Sequence, residues 1–128
     1  MADRIEAFTT TVTAGTLAAV PAVTGLPFRD GIVRQIDVRI PPGPSGLMGF
    51  VIAYAGVGII PDTASTWLVM DNERWSFTVD DNPTGGQWEV IAYNTDVYDH
   101  SIYTRFHIDE FRNQAPAGVT VIPIPMGG

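Results

Sequence analysis

"SIYTRFHID", residues 101–109, alternates without a break: Ile102, Thr104, Phe106 and Ile108 fall on one side, and Tyr103, Arg105, His107 and Asp109 on the other. A period of two marks a β-strand with one buried face. The same rhythm recurs along the chain. "AFTTTVTA" from Ala7, "IVRQIDVRI" from Ile32, "LMGFVIAYA" from Leu47, "TWLVMD" from Thr66, "RWSFTVD" from Arg74 and "QWEVIAYN" from Gln87 all read as strands, and no stretch carries a convincing helical period. Turn chemistry separates them: "PPGPSG" at 41–46, "DNE" at 71–73, "DNPTGG" at 81–86 and "NTDVYDH" at 94–100. Short strands with regular turns and no crossover helices predict an all-β fold, an antiparallel β-sandwich or jelly roll. Strand order is not encoded in so local a pattern.

The regular pattern occupies residues 31–112, one β-sandwich domain. Residues 1–30 read as an extended N-terminal arm or a first strand, and residues 113–128 as an extended C-terminal arm ending in "GVTVIPIPMGG". Prolines at 21, 27, 123 and 125 disfavour central strands and suit extended chain lying on another surface. Loose tails are normally polar, whereas "VTVIPIP" is apolar. It either lies against a neighbouring molecule or sheet edge, or covers its own domain.

Composition narrows the function. The 128 residues suffice for one domain with a core of its own. Hydrophobic residues make up 45% and charged residues 16%, apolar enough to predict surface that is covered in an assembly. The net charge of −7 disfavours nucleic acid as a direct partner. All seven basic residues are arginine and there is no cysteine, so lysine and cysteine chemistry, disulfides and thiolate metal sites are excluded. The N-terminus lacks the continuous apolar core of a secretory signal, and no apolar run is long enough to span a bilayer, so the expectation is a soluble protein made inside a cell, without a membrane partner.

Several clusters invite a catalytic or metal reading. Asp96, Asp99, His100, His107 and Asp109 crowd one stretch. His107 and Asp109 share a strand face, but zinc needs at least three protein ligands, and His100 falls in the preceding turn on the opposite parity. The polar face of an ordinary strand accounts for them, with Arg105 pairing Asp109 or a cross-strand carboxylate. "IPPGPSGLMGF" has neither phosphate-loop spacing nor a nucleophile elbow around Ser45, and reads as a strand connection. Asp80, Asp81 and Glu89 could supply a glycosidase pair, but the first two sit where a turn uses their oxygens locally. Trp75 shares parity with Phe77 and Val79, and Trp88 with Val90 and Ala92, so both are expected in the core. Trp67 is the better candidate for an exposed aromatic.

Residues 34–106 carry a resemblance. The loop "RIPPGPSGLMGF", the turn and strand "PTGGQWEV" and the stretch "YNTDVYDHSIYTRF" resemble small all-β virion structural proteins of tailed double-stranded DNA bacteriophages, particularly those of actinobacterial hosts. The resemblance implies a jelly-roll-like protein without enzymatic activity, cofactor or metal, assembled in the host cytoplasm and resident in the virion. The implied role is capsid decoration or minor capsid protein. Its partners would be copies of itself, as a homo-oligomer such as a trimer, and the major capsid protein or another virion protein. A tail or head-tail junction component is the near alternative. A glycan-binding β-sandwich module for host attachment is the more distant one, and would show an exposed cluster of Trp67, Tyr98 and Tyr103. An enzyme would gather His107, Asp109 and a third ligand in a pocket. The expected partner contacts are Trp67, Tyr98, Tyr103, Arg105 and His107, with Val119, Val121, Ile122 and Ile124 on the C-terminal arm.

Overall fold

The computed structural model describes residues 4–28, 31–61, 66–83 and 87–109, the side chains of 80–83 excepted. Among the described residues nine strands form in chain order: β1 (Arg4–Val12), β2 (Ala22–Gly25), β3 (Ile32–Ile40), β4 (Met48–Tyr54), β5 (Val57–Ile60), β6 (Leu68–Val69), β7 (Glu73–Pro83), β8 (Trp88–Asn94) and β9 (His100–Asp109). One sheet has the order β1-β9-β3-β7; the other runs β2-β8-β4-β5, with β6 beside β5 on the same edge of β4. Every pairing is antiparallel. The pairs β1 with β9, β2 with β8, β3 with β7 and β4 with β5 are nested, as though one long hairpin had been rolled around itself. That is the jelly-roll β-sandwich.

The alternation read from 101–109 places the core. Ile102, Phe106 and Ile108 are wholly buried and face Phe50, Ile52, Trp88 and Val90 of the other sheet. Four rings key the layers together. Phe106 lies with ring centroids 5.4 Å from Trp88, 5.1 Å from Phe28 and 6.0 Å from Phe8, in tilted or edge-on contacts of the kind aromatic quadrupoles favour.

The N-terminal region is built into the sandwich. Of the two readings of residues 1–30, the first strand is the one formed, as β1 pairs with β9 along its whole length from Arg4↔Ile108 to Val12↔His100. Ala22–Gly25 adds a strand that sequence reasoning placed in an arm. The C-terminal arm, residues 113–128, with Val119, Val121, Ile122 and Ile124, lies outside the described residues.

Three local expectations need correction. "LMGFVIAYA" does not continue through Ala55: the chain turns at Ala55 and Gly56, both at positive φ (52° and 82°), and returns as β5, Tyr54 pairing with Val57. Both residues in the left-handed region is the type I′ hairpin geometry. The strand from Glu73 continues to Pro83, beyond the start expected for the "DNPTGG" turn. Trp75 is half-exposed (51%), not core. It does share the inward parity, opposite Val38, but β7 is the edge of its sheet and the opposing layer does not cover it there. Its ring stacks on Phe77 instead.

Candidate interaction surfaces

Two outer faces of opposite character bound the sandwich. On the β1-β9-β3-β7 sheet, cross-strand neighbours form rows: Ile5, His107, Gln35, Thr78; then Ala7, Arg105, Asp37, Ser76; then Thr9, Tyr103, Arg39, Arg74. Asp37 is the hub. Its Oδ1 accepts hydrogen bonds from Gln35 Nε2 and Ser76 Oγ, both at 2.7 Å, and its Oδ2 lies 2.8 Å from His107 Nε2 and 3.7 Å from Arg105 Nη2. Burial pushes this carboxyl up. Hydrogen bonds from Gln35, His107 and Ser76, with the positive charge of His107, outweigh that and take it from the ordinary 3.8 to about 2.

This depression has a measurable consequence. A folded pKa below the unfolded one means stability that is complete above about pH 4 and drains away as pH falls toward 2. For Asp37, which is 9% exposed, the contribution is about 2 kcal/mol. Urea midpoints of the native chain and of Asp37→Asn should therefore differ at pH 6 and converge near pH 2. A constant difference across that window would show that the ionised carboxylate is not what stabilises the face.

His107 and Asp109, weighed as a metal-ligand pair and set aside for an ordinary polar face, go to different partners. His107 turns to Asp37, while Asp109 Oδ2 takes Arg34 Nε at 2.7 Å. Arg105 has its carboxylate across the strand, as one of the two sequence readings had it, but on Asp37 and not Asp109. His100 begins β9 and pairs with Asp96 at 2.7 Å within the turn 94–100. That bond, and a second from the Val97 backbone N–H, hold the Asp96 carboxyl below its usual range. The Pro/Gly loop has its own internal anion: Asp71 Oδ1 accepts from the backbone N–H of Gly43 (3.0 Å) and Ser45 (3.1 Å), so the amides that could cradle a phosphate already hold a carboxylate.

The other outer face, on β2-β8-β4-β6, is largely apolar, with Glu89 as the acid at one end of it, paired with Gly25 and Ala53. Val23, Ile91 and Val51 stand in one row across three strands. In the next row Tyr93 lies over Gly49, where a Cβ would overlap its ring, and Val69 follows on β6. Trp67 packs edge-on against Tyr93, ring centroids 4.9 Å apart. Val23 is 59% and Val69 45% exposed. An antiparallel sheet with one solvated face normally alternates apolar-in and polar-out, and this sheet does not.

The predicted contact residues thus separate. Tyr103, Arg105 and His107 share the polar face, Trp67 belongs to the apolar one, and Tyr98 projects from the turn at the sandwich end, 69% exposed. The glycan-type cluster of Trp67, Tyr98 and Tyr103 is therefore not assembled. Sequence reasoning missed Asp37, Arg39 and Arg74 as members of the polar face, because their place beside β9 depends on strand order. The chain matches no family model, no curated protein and no solved structure, so its function has to be read from these two faces.

Proposed function

We propose that this chain is a non-enzymatic structural protein of a phage virion, a capsid decoration or minor capsid protein that self-associates and reinforces the lattice of the major capsid protein. The observation that supports the reading is the apolar outer face formed by Val23, Ile91, Val51, Tyr93, Val69 and Trp67. Apolar area left in water is stabilised by burial at about 25 cal/mol per Å². A small gain per copy becomes large when many copies are linked in one lattice. The resemblance of "RIPPGPSGLMGF" and "YNTDVYDHSIYTRF" to phage virion proteins gives the assembly its setting.

Ile91→Glu tests the face directly. The side chain is half-buried at the centre of the patch, between Val23 and Val51, so a carboxylate there stays hydrated in a lone molecule but is trapped in an assembly. In sedimentation velocity the native chain should run as an oligomer and the variant as a monomer with its circular dichroism unchanged. A native chain that stays monomeric at high concentration, or a variant that still assembles, would remove the self-association reading. Location and copy number in purified particles would then separate head from tail.

A further inference from the structure

The polar face carries positive charge that the described residues do not neutralise. Arg39 and Arg74 are direct cross-strand partners, and like charges so placed repel. Neither side chain makes a hydrogen bond or ion pair with a described residue. Asp37 already accepts from Gln35, Ser76 and His107, and Arg105 reaches it only at 3.7 Å with its side chain half-exposed. The small side chains of Ala7 and Thr9, the ring of Tyr103 and the Asp37 carboxylate complete a depression of about 320 Å³ bordered by these three arginines, so three positive charges stand against one negative charge there. On a chain of net charge −7, a concentration of three of its seven basic residues around one hollow is a local reversal of sign.

We propose that this hollow binds an extended acidic segment of a partner polypeptide, one carboxylate held between the Arg39 and Arg74 guanidinium groups and a second at Arg105. Guanidinium forks match carboxylates in two-point geometry. Arg39 and Arg105 are diagonal neighbours, about 7–8 Å apart and somewhat closer at their Cβ atoms. Alternate side chains of an extended peptide repeat at about 6.6–6.8 Å and project from one side, so two acids in an x-E-x-E pattern reach both positions. Tyr103, paired with Arg39 across the strand, stands beside the intervening residue. A nucleic acid strand has a similar charge spacing, but the long-range field of an acidic chain opposes a polyanion far more than a segment with two charges.

This inference goes beyond the assembly reading, since the basic hollow and the apolar face lie on opposite sides of the sandwich and either can stand alone. Calorimetric titration of the full chain with an acetylated Thr-Glu-Thr-Glu-Thr peptide should give binding that weakens with salt, while the Gln-for-Glu peptide should not bind. Arg39→Gln/Arg74→Gln should weaken the Glu peptide by about tenfold or more. Arg105→Gln should weaken the two-Glu peptide but leave a peptide with a single Glu unaffected. Because the Arg39–Arg74 repulsion is relieved, the double variant should melt no lower than the native chain, which separates lost binding from lost fold. Equal affinity of the double variant would overturn the proposal. So would failure of the Glu peptide to bind, or tighter binding of inorganic phosphate, glucuronate or a single-stranded oligonucleotide than of the peptide.

Discussion

Replacement of Phe106 by alanine is expected to destabilise the fold by about 3–5 kcal/mol, read as a shift of the urea midpoint at unchanged slope. The side chain is wholly buried and touches three rings: Phe8 of its own sheet, Phe28 of the connection between β2 and β3, and Trp88 of the opposite sheet. Removing it empties the contact between layers, and the neighbours are too large to close over the gap. Phe106→Leu keeps most of the volume and should cost only about 1–2 kcal/mol. An alanine cost below about 1 kcal/mol would mean that the aliphatic residues, and not the ring cluster, hold the sheets together.

The second large effect concerns a polar residue. Asn94 is wholly buried at the end of β8, where Nδ2 donates to the carbonyls of Val12 (3.0 Å) and Tyr98 (2.8 Å) and Oδ1 accepts from the Asp96 N–H (3.0 Å). One side chain thereby ties the end of β1 to the turn that launches β9. Asn94→Ala leaves two carbonyls and an amide without their partner, an expected loss of about 2–4 kcal/mol. Amide exchange should accelerate at Asp96, and at Gly15, whose N–H donates to the Asp96 carbonyl. Asn94→Asp preserves the acceptor but sets a carboxylate oxygen against two carbonyl oxygens, so it should do no better than alanine. Full stability in the aspartate variant would show that the two donated bonds contribute little.

What was legible in the sequence was what depends on neighbours in the chain. Alternation marked β3 with its observed bounds, Ile32–Ile40, and placed Ile102, Phe106, Ile108, Trp88 and Val90 inside. It failed where a local rule is indirect. Ala55 is a poor advertisement for a left-handed turn, so β4 and the turn read as one run; Ala22–Gly25, exposed at all four positions, has no alternation to detect. Trp75 shows the difference between facing inward and being covered, since coverage depends on a sheet edge that no local pattern marks. The polar face was half legible: Tyr103, Arg105 and His107 share one strand. Asp37, Arg39 and Arg74 join them only through pairings between distant segments. Asp37 and His107, whose bond organises the face, are 70 residues apart in the chain.

The nesting of strand pairs also governs how the chain can be made. On the ribosome β1 emerges ahead of the other described strands, yet among the described residues its sheet partner is β9, the last of them. Local pairs such as β4 with β5 can close as they are synthesised, whereas the β1-β9-β3-β7 sheet must await nearly the whole described chain. Such non-local pairings fold slowly, on a scale of about milliseconds to seconds. Meanwhile the threonine-rich first strand is left with both edges open, poised for mispairing with another nascent copy. Of its outward residues Ile5, Ala7, Thr9 and Thr11, the two threonines give the second half of that waiting strand a polar face.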